Sequence, residues 1–225
     1  MKYNELKQRV LDILCLDTEE ANRLNYIDKI PRTLNGALFR VAHSIGINVR
    51  EYVLKLTIDK FPVKVIMPKD FISFAIDQHT YLNGYDFVLT NFIGPNGIIL
   101  YGTEIPELVD PENIDPEYVY EYRIFYNALF PRLSQEGKTY TYYSLLDNPE
   151  VNADSCNTEV LDISNFEISD NISEALPHYI VADLLSLDDK VRSTTEMNEF
   201  ETLLATITVD RQERQRDYHS SKGWY

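Results

Sequence analysis

Ala175-Leu-Pro-His-Tyr-Ile-Val-Ala-Asp-Leu-Leu-Ser-Leu-Asp188-Asp189-Lys-Val-Arg-Ser-Thr-Thr-Glu-Met-Asn-Glu-Phe-Glu-Thr-Leu-Leu-Ala205 reads as two helices joined by an acidic break. Leu176, Ile180, Leu184 and Leu187 recur at three- and four-residue steps, and Val191, Met197, Phe200, Leu203, Leu204 and Ile207 do so again. Asp188 or Asp189 suits the N-cap of the second helix, since a carboxylate there accepts from the free N–H groups of the first turn. A hairpin of this size cannot bury both stripes alone, so it requires a partner elsewhere in the chain or in another subunit.

The N-terminal region offers that partner. Leu6, Val10, Ile13 and Leu14 share one helical face, and Asp17-Thr18 offers a cap for the next stretch. Leu24, Ile27, Ile30, Leu34, Leu38, Val41 and Ile45 continue at helical spacing, interrupted by Pro31. The pattern predicts a short helix to about Lys29 and a longer one in which Pro31 occupies the first turn and Gly46 ends it.

From Val49 the period becomes two. Strands are expected over 49–58, 63–67, 85–93, 98–101, 118–126, 138–146 and 160–168. Gly94-Pro-Asn-Gly97 between two of them signals a hairpin; a phosphate loop there would need a lysine and a hydroxyl that are missing. Glu104–Glu117 holds two Asp-Pro-Glu repeats, which read as turns in a solvated connector; a calcium site is the alternative, but the alternating ligands and central glycine of a calcium loop are absent. The expected fold class is therefore α+β: a helical bundle formed by the N- and C-terminal helices, 1–48 plus 172–209, with 49–171 inserted as an antiparallel β-sandwich or barrel-like domain.

Composition narrows the function. The chain has 225 residues, 44% of them hydrophobic, enough to fill a core without metal or disulfide staples. Cys15 and Cys156 are its cysteines, no early run resembles a signal peptide, and no apolar run reaches the roughly 20 residues of a membrane helix, so a reducing compartment and no membrane partner are expected. With Lys plus Arg 21 and Asp plus Glu 36, the net charge is −15, which disfavours sequence-specific DNA binding but not DNA sliding past. The 16 tyrosines, many between Tyr118 and Tyr143, fit ordinary strand propensity or an exposed aromatic interface. His43, His79, His178 and His219 form no ligand pair, and no nucleophile motif occurs, so no catalytic, cofactor or metal residue is nominated and the chain is not expected to be an enzyme. Asn171-Ile-Ser173 matches a glycosylation sequon that matters only in a secreted protein.

Residues 210–225 differ from the rest. Arg211, Arg214, Arg216 and Lys222 against Asp210, Glu213 and Asp217 give a slight positive charge, and the chain's one tryptophan follows. A frayed terminus is one outcome. The other is a docking tail whose interface residues are Arg211, Arg214, Arg216, Tyr218, Trp224 and Tyr225, because Trp, Tyr and Arg are the preferred anchors of interfaces.

Two segments carry a family resemblance. Glu174-Ala-Leu-Pro-His-Tyr-Ile-Val-Ala182 with Leu184, Asp188-Asp189, Val191-Arg192 and Asn198-Glu199-Phe200-Glu201, together with Lys29-Ile-Pro-Arg-Thr-Leu-Asn-Gly-Ala-Leu-Phe-Arg-Val-Ala42, resemble the head-to-tail connector (adaptor or neck ring) proteins of tailed bacteriophages. The resemblance covers about one-third of the chain. It implies a homo-oligomeric ring in the virion, assembled in the host bacterial cytoplasm. The ring would contact the portal protein and other neck or tail proteins, and DNA would pass through its lumen. Family members commonly set a terminal extension against the portal or a neighbouring subunit. The alternatives are a tail-associated or receptor- or glycan-binding β-sandwich of the virion, and an enzyme with a cryptic carboxylate site.

Overall fold

The computed structural model describes residues 1–57, 63–65, 67–74, 80–82, 85–87, 89–94, 97–102, 119–145 and 156–221. The fold is α+β, and the chain divides into two compact units. One comprises Met1–Ile45, Pro131–Tyr142 and Val160–Tyr225; the other comprises Gly46–Phe130 and Tyr143–Glu159.

In the first unit, α1 (Tyr3–Leu14) buries Leu6, Val10, Leu11 and Leu14 and stops where Cys15 turns left-handed at φ 57°. Glu5 accepts from the Lys2 backbone N–H at 2.8 Å, satisfying one of the free donors at the helix start. Asp17 caps α2 (Thr18–Arg23) by accepting from the Glu20 N–H at 2.8 Å. A 3-10 turn at Ile27–Lys29 leads into α3 (Ile30–Ile45), with Pro31 in its first turn and Ile30, Leu34, Ala37, Leu38 and Val41 buried. Gly46, at φ +53°, ends α3. A Cβ there would lie 2.7 Å from the Asn127 side chain, so only glycine fits.

The C-terminal part adds α4 (Asp170–Ser173), α5 (Ala175–Leu185) and α6 (Lys190–Ser221). Helix α5 is the hub, contacting α1, α3, α4 and α6. That follows from its composition: Leu176, Ile180, Val181, Ala182, Leu184 and Leu185 leave apolar surface nearly all round. Asp189 is the N-cap of α6, accepting from the Arg192 N–H at 3.0 Å.

Two members of the expected hairpin stripes are exposed, and Met197, Leu203 and Ile207 are only half-buried. Leu187 is 89% exposed because α5 stops at Leu185 and the chain turns, and Val191 is 81% exposed at the second position of α6, ahead of the residues that face α5. Leu24 is likewise exposed, since α2 ends at Arg23. Helix α6 continues to Ser221, well past the last apolar residue of the expected helix, Ile207.

The strands, all antiparallel where their register is given, are β1 (Val49–Thr57), β2 (Val63–Val65), β3 (Phe71–Phe74), β4 (Thr80–Leu82), β5 (Tyr85–Phe87), β6 (Leu89–Gly94), β7 (Gly97–Gly102), β8 (Val119–Ala128), β9 (Arg132–Leu133), β10 (Thr139–Leu145) and β11 (Cys156–Asp162). Their sheet orders are β1-β8-β3, β2-β7-β6, β4-β5 and β11-β10-β9. The β6–β7 hairpin pairs Gly94 with Gly97, as their spacing predicts. The expected strand over 85–93 is two strands, β5 and β6. The expected strand over 160–168 lies earlier, at Cys156–Asp162, because the Asp162 carboxylate accepts from the Ser164 N–H and starts a 3-10 turn at Ile163–Asn165. The Ser164 side chain, and after it this backbone N–H, hold the Asp162 carboxyl below its usual pKa by hydrogen bonding to its charged form. The connector Glu104–Glu117, with its candidate calcium ligands, lies outside the described residues.

Tyr3 packs against the β9–β10 turn: a Cβ on Gly137, at φ +63°, would lie 2.9 Å from the Tyr3 hydroxyl oxygen and 2.8 Å from Pro31. Burial pushes the Tyr3 phenol from 10.0 to about 12. The unfolded chain therefore loses this proton near pH 10 while the folded chain keeps it to about 12. The contribution is complete below pH 10 and is lost as pH climbs between those values, an alkaline destabilisation of about 2–3 kcal/mol. Urea titrations between about pH 9 and about pH 12 are expected to show this decline and to show it shallower in Tyr3→Phe; equal slopes would refute it.

Candidate functional site

The two segments separated by more than a hundred residues meet where α3, α5 and α6 pack together, and polar and aromatic groups fasten each contact. The Thr33 hydroxyl donates to Asp183 Oδ2 at 2.9 Å, linking α3 to α5. Ser193 Oγ donates to the Ala182 carbonyl at 2.7 Å, linking α6 to α5. Arg40 forms an ion pair with Glu201, while its guanidinium lies 6.0 Å from the Tyr179 ring centre and 5.8 Å from that of Phe200. The two rings meet edge-to-face at 5.0 Å. Asn35 reads the backbone of β9 as a strand would: its Nδ2 donates to the Leu133 carbonyl at 2.9 Å and its Oδ1 accepts from the Leu133 N–H at 2.8 Å.

The acidic corner of the hairpin is divided between two tasks. Asp189 caps α6, whereas Asp188 accepts from the Tyr26 hydroxyl at 2.9 Å. Burial and the neighbouring Asp188 carboxylate together raise the Tyr26 pKa. His178 Nδ1 lies 2.7 Å from Glu196 Oε2, so this histidine braces α5 against α6.

A groove of about 340 Å³ runs beside that brace, lined by Arg9 and Asp12 of α1, Glu174 and His178 at the start of α5, and Glu199 and Leu203 of α6. Three carboxylates against one guanidinium make its field negative, which disfavours phosphate. Among the described residues no group of three or more His, Cys, Asp and Glu could hold a metal ion, and no helix is long and apolar enough to cross a membrane. Large apolar side chains are nevertheless presented outward: Leu187 and Val191 at the hairpin corner, and Phe39 of α3, 58% exposed with His43 stacked on it at 4.0 Å.

Of the residues nominated in the tail, Arg211, Arg214, Arg216 and Tyr218 lie on the C-terminal part of α6, and Trp224 and Tyr225 lie outside the described residues. The groove has no sequence signal, because packing alone creates its spacing, whereas Phe39 and His43 stand four residues apart on one helix, a spacing the sequence carries. No family model matches this chain, and no curated protein does.

Proposed function

We propose that this chain is a structural subunit of a tailed-phage virion, one of a ring of copies that joins the portal to the tail and lines the DNA channel. That role requires no catalytic residue, cofactor or metal. In this proposal the helices of 1–48 and 172–209 close into a bundle with 49–171 inserted as a β-sandwich or barrel. The observation that supports it best is the junction of Arg40, Tyr179, Phe200 and Glu201: side chains from both segments of connector-like sequence are spent on one rigid joint between helices. A scaffold uses its distinctive residues in this way, whereas an enzyme would aim them at a substrate. The net charge of −15 agrees with a lumen past which DNA slides without adhering. Arg211, Arg214, Arg216, Tyr218, Trp224 and Tyr225 form the docking tail, whose partner is the portal or a neighbouring subunit.

Electron microscopy or native mass spectrometry of the protein with co-expressed portal is expected to show a cyclic assembly. Removal of residues 210–225 is expected to leave the melting transition in place, because Phe200 and Leu204, the buried residues of α6 among those described, precede the cut, and to weaken assembly by at least about thirtyfold, the loss of a hot spot. A strict monomer indifferent to the portal would overturn the proposal, and assembly at full yield without the tail would remove the tail's role. Binding on a glycan array would instead favour a receptor-binding virion protein.

A further inference from the structure

Asn35 is followed by Gly36 within α3. An asparagine before glycine is the dipeptide best able to react with itself, because no Cβ on the next residue obstructs the approach of its backbone nitrogen to the side-chain amide carbon. In that reaction Gly36 N bonds to Asn35 Cγ and the Cγ–Nδ2 bond breaks. Ammonia leaves with the proton displaced from the Gly36 nitrogen, and a five-membered succinimide results. Water then opens either carbonyl of the ring, producing aspartate or its backbone-shifted isomer, isoaspartate.

We propose that Asn35–Gly36 is a deamidation site that the fold holds closed, so that unfolding, once prolonged, becomes irreversible. Two features close it. The Gly36 N–H lies within the helical ladder of α3, whose backbone angles keep it from the Asn35 amide carbon. The Asn35 amide is held at both ends by Leu133, through Nδ2 at 2.9 Å and Oδ1 at 2.8 Å. Solvent is no part of the protection, for Gly36 is exposed. The consequence of reaction is specific: a carboxylate at position 35 has no donor for the Leu133 carbonyl, and isoaspartate adds a backbone atom inside a helix, so the link between α3 and β9 is not remade.

Position 36 also supplies the decisive control. A Cβ there would meet the Tyr179 hydroxyl at 3.6 Å, an ordinary contact, and alanine suits a helix interior better than glycine. Gly36→Ala is therefore expected to fold while obstructing ring closure. The experiment holds the full chain, native or in guanidinium chloride, at mildly alkaline pH for increasing times, dilutes it, and measures both refolded yield by circular dichroism and conversion at Asn35 by peptide mapping. Conversion is expected to be at least about tenfold slower in the native protein, since an opening equilibrium of one decade already gives that ratio. Refolded yield is expected to fall in step with conversion at Asn35 and to be preserved in Gly36→Ala. Equal conversion rates in both states would overturn the protection, and a decline in yield unaffected by Gly36→Ala would assign the damage elsewhere, to Asn83–Gly84 or Asn96–Gly97 among other places.

Discussion

Phe200→Ala is expected to destabilise the helical unit by about 3–5 kcal/mol, the range for deleting a fully buried phenylalanine. The ring is 0% exposed and lies under the Arg40 guanidinium and edge-on to Tyr179. Truncation removes the transfer free energy of the ring and leaves a space that three helices cannot readily close, because Thr33–Asp183 and Ser193–Ala182 hold their spacing. The ion pair beside it predicts a contrast. Arg40 and Glu201 are 44% and 47% exposed, so Glu201→Ala is expected to cost at most about 1 kcal/mol. Urea unfolding of the two variants distinguishes a joint held by packing from one held by charge; equal losses, or a loss under about 1 kcal/mol for Phe200→Ala, would refute this account.

What could be read from the sequence divides along the range of the interactions. Caps and helix stops were legible because each is settled within four residues: Asp17 as an N-cap, the Asp188-Asp189 pair as the source of another, which Asp189 supplies, Gly46 as the end of α3, and Pro31 in its first turn. The β6–β7 hairpin was legible for the same reason. Periodicity failed where local chemistry ended an element before its apolar pattern did. Leu187 keeps the helical step but falls in the turn after Leu185, and the strand expected to continue past Asp162 gives way to the turn that Asp162 itself nucleates. In α6 the failure has the opposite sign: after Ile207 the apolar stripe stops, yet Arg, Gln and Glu are good helix formers and the helix runs on. The candidate site fared worst, because Asp12, Glu174 and Glu199 come from three elements and only packing gathers them into one groove.

Asp70 lies at the far end of that range. In sequence, Pro68-Lys69-Asp70 is a polar turn; in the structure, the Asp70 side chain is 1% exposed inside the β unit. Arg50 of β1 approaches its Oδ2 at 2.5 Å and also donates to the Tyr143 carbonyl at 2.7 Å, and the Tyr126 hydroxyl of β8 donates to Oδ1 at 3.1 Å. One carboxylate thus ties β1, β8 and the turn before β3. Asp70→Ala removes the carboxylate that the Arg50 guanidinium, itself only 18% exposed, approaches at 2.5 Å, and removes the acceptor that the fully buried Tyr126 hydroxyl uses at 3.1 Å. The expected loss is about 3–5 kcal/mol, the cost of breaking a buried pair from one side. Removing both partners should be milder, because the pair is then not broken from one side only: Arg50→Met with Asp70→Leu is expected to recover at least about 1 kcal/mol relative to Asp70→Ala. Amide hydrogen exchange along β1 and β8 reads this unit directly. Faster exchange in Asp70→Ala than in the double variant supports the tie, and faster exchange in the double variant would mean that the pair contributes net attraction beyond the desolvation it incurs.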